Sequence, residues 1–276
     1  MKTALIIGGT SGIGLSIAKD LLQKNYSVKI VGSNETKGVA IAATLELKFP
    51  GRVTFFLLDL SNLKQVTAFT KQFLEEHSSL DLLANIAGVM EPKRKLTPEG
   101  FEKTFTVGYL SAYILSTELA PLLEKSPYGR IVNVAGVPSF VFKAQLDFND
   151  LSFSKNYSSF KTAITTIHAK TVLTEILSEE YAAKKIDVNS FHPGAIQSDL
   201  MKTMSMFGRA VFSVLSLFMS KSCKTGIYVS TSEDIQGVTG KFFVKKRATP
   251  LAFKKDYKDQ LLKETKLLLE GLDYNS

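Results

Sequence analysis

A chain of 276 residues with 45% hydrophobic and 22% charged side chains can bury a large core, which excludes a disordered or fibrous protein and leaves one large domain or two small ones. The net charge of +8 comes from scattered lysines, so no nucleic-acid face is expected; the tightest basic groups, Lys93-Arg94-Lys95 and Lys245-Lys246-Arg247, read as solvated loops or as contacts to phosphate or an acidic membrane. A lone cysteine, Cys223, excludes an internal disulfide, and an apolar run close behind Met1 with no stretch of about 20 apolar residues argues against a cleavable leader or a spanning helix, so a cytoplasmic setting is expected.

The first element, residues 4–7, is an apolar run that reads as a strand. It feeds Gly8-Gly9-Thr10-Ser11-Gly12-Ile13-Gly14, and Leu15, Ala18, Leu21 and Leu22 then recur at helical steps. Strand, glycine turn and helix form the setting a phosphate-binding loop needs. Glycine holds backbone angles that a Cβ forbids and lets the main chain approach an anion, while the helix offers unpaired N–H groups and the positive end of its dipole. A tight turn without a ligand is the alternative.

Residues 28–32 read as a second strand ending in Ser33-Asn34, 37–47 as a helix closed by Pro50-Gly51, and 53–58 as a third strand ending at Asp59. A helix over 63–76, a strand over 80–84, helices over 101–125, a strand over 130–134, a long helix over 160–183 and a strand over 188–191 follow. A Lys-rich amphipathic helix over 251–270 ends the pattern, placed either on the sheet edge or in an assembly contact. Strands alternating with helices predict a single α/β domain over 1–276, a doubly wound parallel sheet of Rossmann type. Ligands of such sheets lie beyond the carboxyl ends of the strands, where Ser33, Asp59, Asn85, Ala135 and Pro193 all fall.

The Gly-x-x-x-Gly-x-Gly spacing, with Thr10, Ser11 and Ile13 between and beside the glycines, resembles the nucleotide loop of the short-chain dehydrogenase/reductase family. Ile7 stands where the family usually has Thr. Asp59-Leu60 resembles the family's contact to adenine, with a helix cap as the alternative role for Asp59. Asn85-Ile86-Ala87-Gly88 resembles its Asn-Asn-Ala-Gly turn, with Ile86 in place of the second Asn. Pro193-Gly194-Ala195-Ile196-Gln197-Ser198 resembles the segment that clasps the nicotinamide, Ser198 standing for Thr. The resemblance covers about residues 3–244 and is nearest the retinol-dehydrogenase-like branch. It implies cofactor contacts from Gly8, Thr10, Ser11, Gly12, Ile13, Ser33, Asn34, Lys37, Asp59, Leu60, Asn85, Ala87, Gly88, Pro193, Gly194, Ile196 and Ser198. A carboxylate after the second strand would favour NAD. Ser33-Asn34, with Lys37 a turn later, favours NADP(H), with NAD(H) as the alternative; relatives carry Arg at the Ser33 position.

The family's acid–base residues are where the chain departs. A Tyr gives the proton, a Lys four residues on lowers its pKa and holds the ribose, a Ser steadies the substrate oxygen and an Asn anchors a relay water; each meets a charge that develops in the reaction. Tyr157-Ser158-Ser159-Phe160-Lys161 has the Tyr-x-x-x-Lys form, but it stands 36 residues before Pro193, six too many for the retinol-dehydrogenase-like register. In that register the two positions fall on Ala163 and Ile167. Phe148-Asn149-Asp150-Leu151 followed by Tyr157-Ser158-Ser159-Phe160 matches a non-catalytic segment of those relatives. Six residues are about 1.7 helical turns, so both registers cannot serve one site. Gly136 takes the Ser position, with Ser139 as a stand-in, and Gly108 takes the Asn position. No catalytic residue is therefore assigned, and Tyr157 with Lys161 is the fallback.

The Met- and Phe-rich segment within 199–222 resembles the family's substrate lid and implies an apolar ligand, with core, dimer or membrane-surface roles as alternatives. His168 is read as a packing or surface residue, and Tyr109 and Tyr113 as packing or pocket residues. Two functions follow. One is an oxidoreductase of an apolar small molecule whose acceptor, an iminium ion or an activated double bond, needs no Tyr acid. The other is a nucleotide-binding pseudoenzyme acting as sensor or scaffold. Peripheral membrane contact and a homodimer or homotetramer are implied partners, and no metal site is expected.

Overall fold

A computed structural model describes residues 1–155, 157–194 and 222–270. The lid segment expected within 199–222 lies outside the described residues except for Ser222.

The elements in chain order are β1 (Thr3–Ile7), α1 (Gly12–Gln23), β2 (Ser27–Gly32), α2 (Glu35–Glu46), β3 (Val53–Leu57), α3 (Leu63–Glu76) and β4 (Leu82–Asn85). There follow α4 (Lys103–Phe105), a π turn (Thr106–Leu110), α5 (Ser111–Glu118), α6 (Ala120–Glu124), β5 (Gly129–Val134), α7 (Pro138–Val141) and α8 (Ser159–Glu180). Then come β6 (Ile186–His192), α9 (Lys224–Thr231), β7 (Lys241–Val244), β8 (Arg247–Pro250) and α10 (Lys255–Glu270). The sheet runs β3-β2-β1-β4-β5-β6-β7-β8, parallel except for β8, which pairs antiparallel with β7. Strand order reverses between β1 and β4, the switch point at which such sheets open a crevice.

Strand composition explains the layers. In β1, Leu5 and Ile7 face one core with Val31, Leu83, Ile131 and Val188, under α3, α5, α8 and α10. Ala4 and Ile6 face the other with Ile30, Ala84, Val132 and Phe191, under α1 and α9. Both faces are covered, so the strand reads as a continuous apolar run rather than an alternating one.

Several boundaries move for local reasons. Helix α2 starts at Glu35 because the Asn34 side chain accepts from the Lys37 N–H. The segment expected as helix over 101–125 is broken by the π turn around Gly108 and again before Pro121, which has no N–H to donate. The C-terminal helix begins at Lys255 because residues 247–250 form the edge strand β8. It packs on the core rather than standing free. Leu261 and Leu269 are buried, Lys258 pairs with Glu175 at 3.0 Å, and Thr265 bonds the Tyr109 hydroxyl at 2.6 Å. Among the described residues no helix is long and apolar enough to cross a membrane, and no cluster of metal-ligating side chains occurs.

Candidate active site

Beyond β1 the chain turns with Gly8 at φ +86° and Gly12 at φ +48°, a region costly for any side chain. A Cβ on Gly14 would lie 2.2 Å from the Gly8 carbonyl oxygen, and one on Gly8 would lie 2.9 Å from the Ala87 backbone. The loop is thus pressed between the first turn of α1 and the exit of β4. Behind it, the Gly8 and Gly9 N–H groups donate to the Val31 carbonyl at 3.0 and 3.1 Å. Ser11 forms no side-chain cap, and α1 carries no acidic residue in its first turn. The helix therefore presents open N–H groups and a positive dipole end.

A cavity of about 680 Å³ lies over the loop and spans the switch point. Gly8, Thr10, Ser11, Gly12 and Ile13 line it at β1, Ser33, Asp59 and Leu60 on the β2–β3 side, and Ala87 and Gly88 at β4. Pro193 and Gly194 line it after β6. Three expected contacts are absent from the lining. Asn34 is occupied as the cap of α2, Lys37 lies in its first turns, and Asn85 is buried below. The Asn85 amide donates to Ser116 Oγ at 3.0 Å and to Asn133 Oδ1 at 2.9 Å, and Asn133 donates in turn to Thr174 Oγ1 at 3.0 Å. This ladder ties β4 and β5 to α8, so Asn85 builds the wall rather than facing the cavity. Ile196 and Ser198 lie outside the described residues. Asp59 does not cap α3, which Asn62 does; its Oδ1 accepts from the Ser61 N–H and hydroxyl at 2.9 and 2.7 Å.

On the β5–β6 side, Gly108, Gly136, Ala163 and Ile167 all line the cavity. Tyr157 and Lys161 do not. Tyr157 precedes α8, and its hydroxyl donates to the Glu91 carbonyl at 2.8 Å; burial pushes the phenol pKa up. Lys161 is exposed, its N–H directed at the capping Ser158 hydroxyl, and Ser139 is exposed outside the lining. A methyl group blocks the space a side chain at Gly108 would need, and another crowds Gly136 without closing it. A Cβ on Gly108 would meet Thr166 Cγ2 at 2.5 Å, and one on Gly136 would meet Val141 Cγ2 at 3.2 Å and Ile167 at 3.7 Å.

His168 and Tyr109 are packing residues. The His168 Nδ1 faces the Val141 carbonyl at 2.8 Å and its Nε2 the Tyr257 hydroxyl at 2.9 Å, and Tyr109 is buried against α10. Tyr113 packs half-buried on the main core. Sequence reading missed Lys103, Thr104, Thr166 and Lys170, which also line the cavity. Lys103 pairs with Glu91 at 3.1 Å. Lys170 is 2% exposed, and burial lowers its pKa to about 8. Its signal in the chain was a lone lysine on the helix face that carries Ala163 and Ile167.

Residues 2–207 match the family model for short chain dehydrogenases. Similar proteins include the chloroplastic short-chain dehydrogenase TIC 32 B of Brassica napus, 32% identical over 257 residues, covering 87% of this chain and 79% of that protein. Retinol dehydrogenase 14 of Mus musculus is 29% identical over 260 residues, covering 88% and 77%. Among solved structures, an uncharacterized protein from Mycobacterium paratuberculosis superposes with TM-score 0.76 at 22% identity, covering 98% of this chain and 94% of the other. A short chain dehydrogenase from Shigella flexneri 2a complexed with NADP gives TM-score 0.67 at 18% identity, covering 88% and 95%. The likeness of fold, the glycine loop at the switch point and the match over three-quarters of the chain agree: this chain belongs to the short-chain dehydrogenase family, on its retinol-dehydrogenase-like branch.

Proposed function

We propose that the cavity binds a nicotinamide dinucleotide, NADP(H) in preference to NAD(H), and that the protein is an oxidoreductase of an apolar acceptor that takes no proton from a side chain. One observation carries the second half. Gly108, Gly136, Ala163 and Ile167 line the cavity together, while the phenol of Tyr157 is spent on the Glu91 carbonyl. None of those four side chains can give or take a proton.

The loop fits a pyrophosphate. Its glycines leave room only for backbone, and the first turn of α1 is uncapped and free of carboxylates. Ser33 and Asn34, exposed where β2 ends, carry no charge to repel a 2′-phosphate; the nearest carboxylate in the chain, Glu35, lies in the first turn of α2. When bound, the reduced nicotinamide supplies hydride, which turns an iminium carbon into a neutral amine outright or adds to an activated double bond whose proton then comes from water. Exposed apolar side chains outside the cavity lining support an apolar substrate. Phe140 and Phe160 are exposed and pack edge-to-face with centroids 5.7 Å apart, and Val137 and Phe142 are exposed beside Phe140 in the chain. Flat apolar molecules suit such faces.

The packing around Gly108 and Gly136 favours a second reading, in which nucleotide is bound without turnover and the protein acts as a sensor or scaffold. Incubation with NADPH and a panel of carbonyl, iminium and activated-alkene compounds separates the two. Oxidation with an iminium or alkene supports the first, and binding with no oxidation across the panel supports the second. A carbonyl activity abolished by Tyr157→Phe would overturn both.

A further inference from the structure

We propose that Lys170 is a ligand-holding residue whose ammonium binds hydroxyl oxygens of the second ribose of a dinucleotide seated in the cavity, a role that rests on the nucleotide reading above. The starting point is an unmet need. A lysine ammonium has three N–H donors. Among the described residues Lys170 Nζ has one acceptor, the Asn85 carbonyl, at the long distance of 3.4 Å. The ion pairs among the described residues involve other lysines, and burial alone shifts its pKa. No neighbouring side chain accepts from it: Asn133 Oδ1 takes the Asn85 amide, the Thr174 and Thr166 hydroxyls donate to the Lys170 and Thr162 carbonyls, and the buried Asn85 Oδ1 is itself without a partner among the described residues. Burying an ammonium with so little compensation is costly. A fold retains such a cost where a ligand uses the charge.

Direction and place point to one part of the ligand. Side chains on a helix lean toward its N-terminus, so Lys170 covers the turn that holds Thr166 and Ile167, both in the cavity wall. A doubly wound sheet lays a dinucleotide across the switch point, one half over each side. Ser33 and Asp59 on the β2–β3 side serve the adenosine half. Lys170 lies with Gly136, Ile167 and Pro193 on the other side, where the second ribose would fall. A sugar hydroxyl can accept from the ammonium, which a hydrocarbon or an amide N–H cannot.

Other titratable groups on the elements packed against α8 are engaged or distant from this point. On α4 and the π turn, Lys103 pairs with Glu91 and Tyr109 bonds Thr265. On α5, Glu118 bonds Thr70, and the Tyr113 phenol is pushed up by burial. Arg130 on β5 donates to the Ser232 carbonyl, and on β6 Asp187 accepts from Gly237 while burial holds His192 below its ordinary value. On α10, Lys258 pairs with Glu175, and Tyr257 bonds His168 on α8 itself. Lys184 and Lys185 lie at the far end of α8, and α7 carries no titratable side chain. A change near pH 8 thus belongs to Lys170.

The test measures dissociation constants of NADPH and of 2′,5′-ADP, which lacks the second ribose, for the wild-type protein and Lys170→Met. The variant is expected to melt no lower than wild type, to bind NADPH about tenfold more weakly and to bind 2′,5′-ADP unchanged. Wild-type affinity for NADPH, but not for 2′,5′-ADP, is expected to fall as pH rises through about 8, and this arm needs no variant. Equal NADPH affinity in Lys170→Met, or a wild-type profile flat through pH 8, would overturn the assignment and leave the nucleotide reading intact. A wild-type protein that binds neither nucleotide would overturn both.

Discussion

The γ-methyl of Thr166 on α8 lies 2.5 Å from where a side chain at Gly108 in the π turn would begin. Even an alanine cannot be placed at Gly108 unless Thr166 moves. Two segments far apart in the chain are thus fitted to each other, and the loss of a polar group at one is locked in by bulk at the other. We predict that Gly108→Asn lowers stability by about 1–3 kcal/mol through overpacking. Adding Thr166→Gly should recover much of that loss. A double-mutant cycle in thermal or urea unfolding measures the coupling, and simple additivity would contradict it.

The same geometry says what would rearm the cavity. Ala163 and Ile167 already line it, one turn apart on α8. Ala163→Tyr with Ile167→Lys, combined with Gly136→Ser, is expected to bring NADPH-dependent reduction of simple carbonyls from background to a measurable rate. Adding Tyr157→Phe should leave that rate unchanged and cost only one hydrogen bond, about 1 kcal/mol of stability. Absorbance of NADPH follows the first effect and thermal melting the second.

Cofactor preference should turn on the exit of β2. Ser33 is exposed there and lines the cavity. Ser33→Asp puts a carboxylate where a 2′-phosphate would lie. Affinity for NADPH is expected to fall at least tenfold relative to NADH, about 1.4 kcal/mol. Calorimetric titration with both cofactors reads the ratio directly.

His168 makes stability depend on pH. Burial holds its folded pKa below the ordinary 6.5, while the Val141 carbonyl at Nδ1 acts in the opposite sense. Nδ1 donates to that carbonyl, and neutral Nε2 can accept from the Tyr257 hydroxyl. The unfolded chain then binds the proton more readily than the folded one. Stability is full above pH 6.5 and falls as the pH drops through and below it. Denaturant midpoints between pH 7.5 and 5 should show this slope, and His168→Gln should reduce it; burial lowers the His192 pKa as well and accounts for a remainder.

Much of this protein could be read along its length because the relevant physics is local. An apolar run into a glycine turn and out into a 3.6-residue repeat reads as a β–loop–α turn with the backbone a phosphate needs, and strand ends in a parallel sheet meet at one edge. Spacing back from Pro193 named Ala163 and Ile167 only through the resemblance to the retinol-dehydrogenase-like register. Other features depend on which side chains oppose each other across elements, which chain order does not encode. The edge strand β8 shortened the C-terminal helix, and packing against Tyr109 and Glu175 decided where that helix lies. Asn34 and Asn85 were expected at the cofactor, yet one is consumed by a helix cap and the other by a buried amide ladder. Only the rotation of α8, fixed where Thr174 meets Asn133, turns Lys170 into the cavity and sets Thr166 over Gly108. Burial of a charge is a property of the assembled layers, since it needs neighbours on every side, and no single stretch of sequence supplies them.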